Sequence, residues 1–153
     1  MNKKQHFSKP FALYHLSERC LDGETFSPRP LDKDRAMEGE NWRTKRICVS
    51  TSIDGALSSL VDCMCEWHGI EFYVHVPSNL DKLFKNGNVY KPSIVQVPDA
   101  EVTGEHWLKA PASWKCIGKV KVTGIDCNSD LSYMWNGTLT SIDRFEWIWV
   151  EQR

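Results

Sequence analysis

Three short segments of this chain combine polar side chains suited to chemistry with apolar neighbours. The first is the Leu-Tyr-His-Leu-Ser stretch at residues 13–17, which contains His15. Because side chains alternate between the two faces of a strand, His15 is expected to share a face with Leu13 and Ser17, while Tyr14 points the other way. Two interpretations follow: His15 is a core histidine with satisfied hydrogen bonds, or it donates a hydrogen bond to a ligand hydroxyl at the strand end.

Hydroxyl side chains follow a second apolar stretch. The residues at 46–49 predict a compact buried strand, Ser50-Thr51-Ser52 ends it, and the apolar spacing that follows predicts a helix through about Trp67. A helix N-terminus favours anions, so hydroxyls at this point can hydrogen-bond a sugar or a phosphate. The alternative is that Ser52 or Asp54 only caps the helix.

The third segment, residues 98–107, places three carboxylates and a histidine next to a glycine and a tryptophan. Within it, Glu105 opens a predicted short strand over 105–108. A carboxylate at a strand start, backed by apolar bulk, can have a raised pKa and act on a substrate hydroxyl or a cation. The alternative is a group of solvated acids in turns.

An arginine stands between two prolines in the stretch Ser27-Pro28-Arg29-Pro30. The prolines exclude regular structure there, so the segment predicts a rigid loop that presents Arg29. The planar guanidinium can donate two parallel hydrogen bonds, which suits a phosphate.

Together these segments resemble the ADP-ribosyltransferase fold, including its small phage-type members. That fold opens with a strand carrying His or Arg, continues with a strand that ends in hydroxyls and leads into a helix, and brings in a Glu on a late strand. Here the matching residues are Tyr14-His15, Ser50-Thr51-Ser52 and Glu105, and the resemblance spans about residues 11–122.

The resemblance implies that NAD lies bent in a cleft between two half-sheets. His15 would bond the adenosine ribose, Arg29 would hold the pyrophosphate, and Glu105 would bond the 2′-hydroxyl of the nicotinamide ribose. A fixed carboxylate there stabilises the cation that develops when the glycosidic bond breaks. The implied catalytic residues are Glu105, His15 and Ser50, and the implied NAD-binding residues are Tyr14, His15, Arg29, Ser50, Ser52, Tyr73 and Trp107.

The acceptor implied by this resemblance is a protein. Arginine-modifying members carry Glu or Gln two residues before the catalytic Glu, where this chain has Thr103, so arginine is not favoured as the acceptor. The RNA 2′-phosphotransferase branch of the fold is more basic. Since the net charge here is -1, we do not expect a nucleic-acid partner.

Length and composition set the frame for these segments. The 153 residues are 41% hydrophobic and 25% charged, which predicts one globular domain over 11–153 after a polar tail at 1–10. No signal peptide or membrane-spanning run is visible, so a cytoplasmic location is expected.

The order of predicted elements favours an α+β domain on a mixed or split sheet with few helices, ADP-ribosyltransferase-like. Strands are predicted at 11–17, 46–52, 71–76 and 115–126, and a last one at 145–150 that is apolar on both faces and therefore central.

Six cysteines without a secretory signal indicate a reducing environment, with Cys48 and Cys116 as small core residues. One group of side chains has types and spacing typical of metal ligands, and it consists of Cys63, Cys65 and His68. A structural zinc site needs a second pair of ligands, which we do not find, so no metal is predicted. A metal- or nucleic-acid-binding domain around Cys63 remains a lesser alternative.

A functional alternative to the enzyme is a non-catalytic, phage-type binding or inhibitor protein with the same fold. The seven Trp favour it, because exposed aromatic residues are enriched at protein interfaces.

Overall fold

The computed structural model describes residues 12–34, 36, 39–60, 69–98, 100–126, 134–135, 138–139 and 144–151. The strands within them are β1 His15–Ser17, β2 Thr25–Phe26, β3 Ile47–Ser50, β4 Glu71–Pro77, β5 Val89–Tyr90, β6 Glu105–Leu108, β7 Ala112–Asp126, β8 Met134–Trp135, β9 Thr138–Leu139 and β10 Arg144–Trp149. The helices are α1 Ile53–Ser59, α2 Leu80–Lys85 and α3 Ala100–Thr103. The predicted α+β class, with few helices, is confirmed. The predicted tail at 1–10 and the group Cys63, Cys65 and His68 lie outside the described residues.

The strands form two main sheets and a small hairpin. The larger sheet has the order β1-β4-β7-β10, with β2 also paired to β7, and the smaller sheet has the order β3-β6-β5. Strands β8 and β9 pair only with each other in the described part of the chain. All of these pairings are antiparallel. The two main sheets meet where Tyr14, just before β1, bridges to Ser50 at the end of β3.

Apolar side chains form two large clusters. In the first, α1 covers one face of the larger sheet, where Phe72 and Val74 on β4 point to the same side because side chains alternate along a strand. The second cluster includes Trp114 and joins the larger sheet to β3 and β6. Burial of these apolar surfaces is the main driving force for folding.

Strand β7 interrupts its own alternation with a bulge. Val74 of β4 lies opposite Gly118, but the next residue, His75, lies opposite Cys116, so Ile117 is left without a partner in this ladder. Ile117 is accordingly exposed. A bulge shifts the phase of a strand by one residue, which local pattern cannot reveal.

The sequence patterns predicted the positions of several strands and of the first helix closely. Strand β4 covers the predicted 71–76 and extends to Pro77, and β7 contains the predicted 115–126 but begins at Ala112. The predicted helix is described as α1, with Ser52 as its N-cap, and residues 61–68 of that prediction lie outside the described residues.

The prediction that the last strand is central in the sheet is wrong. Within the described residues β10 pairs only with β7 and stands at the edge. Ile148 and Trp149 are about half exposed, whereas Trp147 packs against the first apolar cluster. Apolar residues on both faces therefore did not indicate burial on both faces.

None of the helices in the described ranges has the length and apolarity needed to cross a membrane.

Gly55 is expected to resist substitution although it lies within helix α1. A Cβ at this position would stand 1.8 Å from the Thr103 carbonyl oxygen and 2.4 Å from the Ser50 Oγ. Helix propensity alone would make Gly55→Ala stabilising by about 1 kcal/mol. We expect the clash to reverse the sign, so that Gly55→Ala lowers the free energy of unfolding by about 1–3 kcal/mol in urea denaturation.

Gly87→Ala is the matched control, because Gly87 has φ +71° but nothing within 4 Å of the added Cβ. Its cost is only the left-handed backbone, about 1 kcal/mol. A Gly55→Ala protein as stable as the wild type would contradict the close packing of α1 on Thr103.

Candidate functional site

The two sheets are joined by a pair of backbone hydrogen bonds. The Tyr14 N–H donates to the Ser50 carbonyl over 2.7 Å, and the Ser50 N–H donates to the Tyr14 carbonyl over 3.0 Å. On the other side of β3, Ser50 lies directly opposite Glu105, the first residue of β6. The first, second and late segments that sequence analysis selected therefore lie on three adjacent strands.

The side chains of Ser50 and Glu105 are both buried and hydrogen-bonded. Ser50 Oγ donates to the Thr103 carbonyl oxygen. Glu105 is 8% exposed, and its carboxylate accepts a hydrogen bond of 3.0 Å from Trp107 Nε1. Residues two apart on a strand share a face, so Trp107 orients the carboxylate from its own strand.

His15 packs in an aromatic group between the sheets. Its ring stacks on Trp114, with centroids 4.8 Å apart and planes 18° apart, and meets the edge of Phe26 at 5.8 Å. Burial lowers the pKa of His15 to about 4, helped by the nearby His75 and Arg29. A hydrogen bond to the Cys48 backbone opposes the shift. The imidazole is therefore neutral at pH 7 and offers one donor and one acceptor.

Two cavities flank His15, and both are also lined by Cys48. The first, of about 130 Å³, lies at the junction and is lined by Tyr14, Ser50 and the start of the helix at Ala56, among others. The second, of about 180 Å³, is lined by the 26–31 loop with Arg29 and by Arg46. Each is smaller than a usual small-molecule pocket of about 300–1,000 Å³, so a dinucleotide would occupy both and extend over the surface.

Arg46 lines the second cavity from inside the protein. It is 2% exposed, its guanidinium stacks on Trp107 at 4.4 Å, and Nη2 lies 3.6 Å from a Glu40 carboxylate oxygen. Nη1 donates to the Thr44 carbonyl, but Nε and Nη2 make no hydrogen bond to any described residue. Buried N–H groups without an acceptor are costly, and the Glu40 carboxylate offsets the charge of Arg46 without accepting a hydrogen bond from it.

The Cys48 thiol is not a nucleophile in this arrangement. Burial raises its pKa to about 12, and the charge of Glu105 adds to this effect while Arg46 opposes it. The thiol therefore stays protonated at pH 7. Since only a thiolate is strongly nucleophilic, it does not react in this form.

The structure brings some of the predicted NAD-binding residues together and separates others. Tyr14, His15 and Ser50 line the first cavity, and His15 and Arg29 line the second. Ser52 lies at the helix entrance, where its hydroxyl accepts from the Gly55 N–H over 2.9 Å. This is the capping role that sequence analysis had kept as the alternative.

Tyr73 and Trp107, which the resemblance implies as NAD-binding residues, line neither of the two cavities. Trp107 is fully buried in a third apolar cluster with Val97 and Ala100. Tyr73 is on β4 opposite Ser17, and the Lys119 ammonium lies over its ring at 4.7 Å.

Sequence analysis assigned no role to Arg46 or Trp114. Arg46 directly precedes an apolar strand, and strand alternation puts it on one face with Cys48 and Ser50, which is a signal that could have found it. Trp114 has no such signal, because its stacking on His15 depends on strands that are about 100 residues apart.

Comparison of the chain with protein-family models, with curated proteins and with solved structures found no match.

The neutral His15 predicts that the protein loses stability in mild acid. Its folded pKa is below the unfolded value of 6.5, so the unfolded chain binds more protons as the pH falls. The contribution of His15 is fully present above pH 6.5 and is lost as the pH falls through about 4. It amounts to at most about 3 kcal/mol. Urea denaturation across this range measures it.

His15→Gln is the matched variant, because it keeps a polar side chain that does not titrate. We expect a flatter pH dependence than in the wild type, with the remainder due to His75 and His106, whose pKa values burial also lowers. An NMR titration that finds the His15 imidazole protonating near pH 6.5 would contradict the description of its environment.

Proposed function

We propose that this chain binds NAD and transfers the ADP-ribosyl group to a protein. The observation that carries the proposal is the junction of the sheets. There Tyr14, Ser50 and Glu105 occupy neighbouring positions on three adjacent antiparallel strands. These are the segments on which the resemblance to the ADP-ribosyltransferase fold rests, and their meeting between two half-sheets agrees with the cleft that the resemblance implies.

The arginines beside the second cavity support binding of a pyrophosphate. Arg29 and Arg46 are held together by two backbone hydrogen bonds, of 3.0 and 3.2 Å. Arg29 is exposed, while Arg46 is buried and has two N–H groups without an acceptor among the described residues. Bidentate bonds from guanidinium to phosphate are among the strongest hydrogen bonds in proteins, and a diphosphate would give these donors acceptors.

His15 suits a ribose hydroxyl because it is neutral and lines both cavities. The N–H of the neutral imidazole bonds to the Cys48 backbone, and the other ring nitrogen can accept from a ribose hydroxyl. Its stacking on Trp114 holds the ring in one orientation.

Glu105 is the proposed catalytic residue. In the reaction the bond between C1′ of the ribose and the nicotinamide nitrogen breaks, and its electron pair leaves with nicotinamide. The acceptor then bonds to C1′ and loses a proton. Positive charge develops on the ribose between these steps, and a carboxylate fixed by Trp107 Nε1 stabilises it without reorganising.

The surroundings of Glu105 bear on the acceptor. Thr103, two residues earlier, is 2% exposed, and its carbonyl accepts the Ser50 hydroxyl. No acidic side chain therefore stands where arginine-modifying members of the fold have one, so we propose an acceptor other than arginine.

The second candidate is a binding protein that does not consume NAD. The observation that favours it is the exposure of Ile148 and Trp149 on the edge strand β10, at 55% and 47%. Apolar side chains exposed together on an edge are typical of interaction surfaces.

Glu105→Gln tests the catalytic proposal. Gln keeps an oxygen that can accept from Trp107 Nε1 but removes the negative charge. With NAD labelled in nicotinamide and water as acceptor, we expect release of nicotinamide to fall about 10²–10³-fold, with NAD binding retained. Glu101→Gln is the control, because Glu101 is an exposed acid on α3. Equal turnover in Glu105→Gln and wild type would refute the role of Glu105, and the absence of turnover in the wild type would favour the binding protein.

Arg29→Ala tests the pyrophosphate contact. Loss of a charged hydrogen bond of about 1.5–3 kcal/mol predicts NAD binding weaker by about 10–100-fold in calorimetry. Arg43→Ala is the control, because Arg43 is also exposed but stacks on Trp42, away from the cavities. Equal weakening by both variants would mean that only the general positive charge matters.

A further inference from the structure

A second cluster of chemically active side chains lies on the larger sheet. His75 on β4 and Cys116 on β7 are directly opposite each other at the bulge, and Cys20 follows β1 in the next loop. Their ligand atoms, a ring nitrogen and two sulfurs, all lie within 4.8 Å of one another. His75 is fully buried, Cys116 is half-buried and Cys20 is exposed.

The loop that carries Cys20 is fixed to the sheet on both sides of the cluster. The Leu21 N–H donates to His75 Nε2 over 2.9 Å, and the Cys116 N–H donates to Asp22 Oδ1 over 2.8 Å. Neighbouring backbone bonds join Gly23 and Glu24 to Trp114. The fold therefore fixes the loop backbone beside His75 and Cys116, and the rotamer of the exposed Cys20 then places its sulfur.

The imidazole of His75 is oriented as in a metal ligand. Its Nδ1 lies 3.2 Å from the His15 carbonyl oxygen, which can only accept, so Nδ1 carries the proton and Nε2 has the lone pair, which accepts from the Leu21 N–H. Metal-binding histidines commonly donate their second ring N–H to a backbone carbonyl in this way. Burial also lowers the pKa of His75, which keeps the ring neutral at pH 7.

We propose that Cys20, His75 and Cys116 bind a borderline-soft divalent metal ion, with Zn²⁺ as the fitting example. Two thiolates and one imidazole are ligands that such ions prefer, and a tetrahedral site would leave the fourth position to water beside the exposed Cys20. Ligand atoms around Zn²⁺ stand about 3.5–3.8 Å apart, so the cluster contracts by about 1 Å on binding. The metal takes the Nε2 lone pair from the Leu21 N–H, and each thiol releases its proton.

The metal proposal does not rest on NAD binding, although His75 contacts the backbone of His15, and the site differs from the group at Cys63, Cys65 and His68. A disulfide between Cys20 and Cys116 is the competing chemistry for the two sulfurs. The metal accounts for more of the cluster, because it uses all three ligand atoms that lie within 4.8 Å of one another, whereas a disulfide uses only the two sulfurs.

Cobalt binding to the full chain tests the proposal. The protein is stripped of metal, kept under a phosphine reductant and titrated with Co²⁺, which reports thiolate ligands through charge-transfer absorption. We expect one equivalent to bind with tetrahedral bands that Zn²⁺ abolishes. Cys20→Ser and Cys116→Ser should each weaken binding at least about tenfold and reduce the charge-transfer band. The double variant Cys63→Ser/Cys65→Ser is the matched control and should bind as the wild type does.

Three results would overturn the proposal. These are the absence of a charge-transfer band, a band lost in the Cys63→Ser/Cys65→Ser control but kept in Cys20→Ser, and a Cys20–Cys116 disulfide that persists under the reductant. Cys20 is exposed, so Cys20→Ser keeps the test valid if Cys116→Ser fails to fold.

An NMR measurement examines His75 without changing the core. With leucine labelled by ¹⁵N and Leu21 assigned through Leu21→Ile, Zn²⁺ should shift the Leu21 amide resonance, because its hydrogen bond to Nε2 is lost. An unchanged Leu21 amide at saturating Zn²⁺ would exclude His75 as a ligand.

Discussion

The paired hydrogen bonds between Tyr14 and Ser50 are the constraint on which the candidate site depends. They join two sheets that share no other strand pairing in the described part of the chain. Because Ser50 is also in register with Glu105, one bridge aligns the first strand with β3 and β6 of the smaller sheet. The His15 ring packs against aromatic side chains beside the bridge, and the two cavities lie on either side of His15.

Several groups near this bridge are in costly environments. His15 is held neutral, the Cys48 thiol is held protonated, and the buried Arg46 has two N–H groups that bond to none of the described residues. Burial of a charged or polar group without full compensation opposes folding. The apolar clusters offset this cost, since they bury large side chains of both sheets, including Phe72, Trp107 and Trp114. Such groups gather where a binding site needs them, at the expense of stability.

Features that depend on neighbouring residues could be predicted from the sequence, whereas features that depend on pairing between distant segments could not. The N-cap at Ser52 could be predicted, because a capping hydroxyl accepts from a backbone N–H in the first turn of the helix that it begins. Glu105 could be selected as a strand start, but its register with Ser50 depends on a pairing that no local pattern encodes. The same holds for Trp107, whose burial follows from the packing of α3. It holds also for Cys116, predicted as a core residue but half-buried beside Cys20.

The central place of β7 has a consequence for how the chain acquires its structure. Three strands, β2, β4 and β10, all pair with β7, and β1 pairs with β4 about sixty residues away. Pairings between distant segments form slowly, because a long loop must close before any contact is gained. During synthesis the first half of the molecule therefore has edges without partners until Ala112–Asp126 has left the ribosome. The larger sheet assembles late and nearly all at once, and in the interval the nascent chain is open to chaperones and to aggregation.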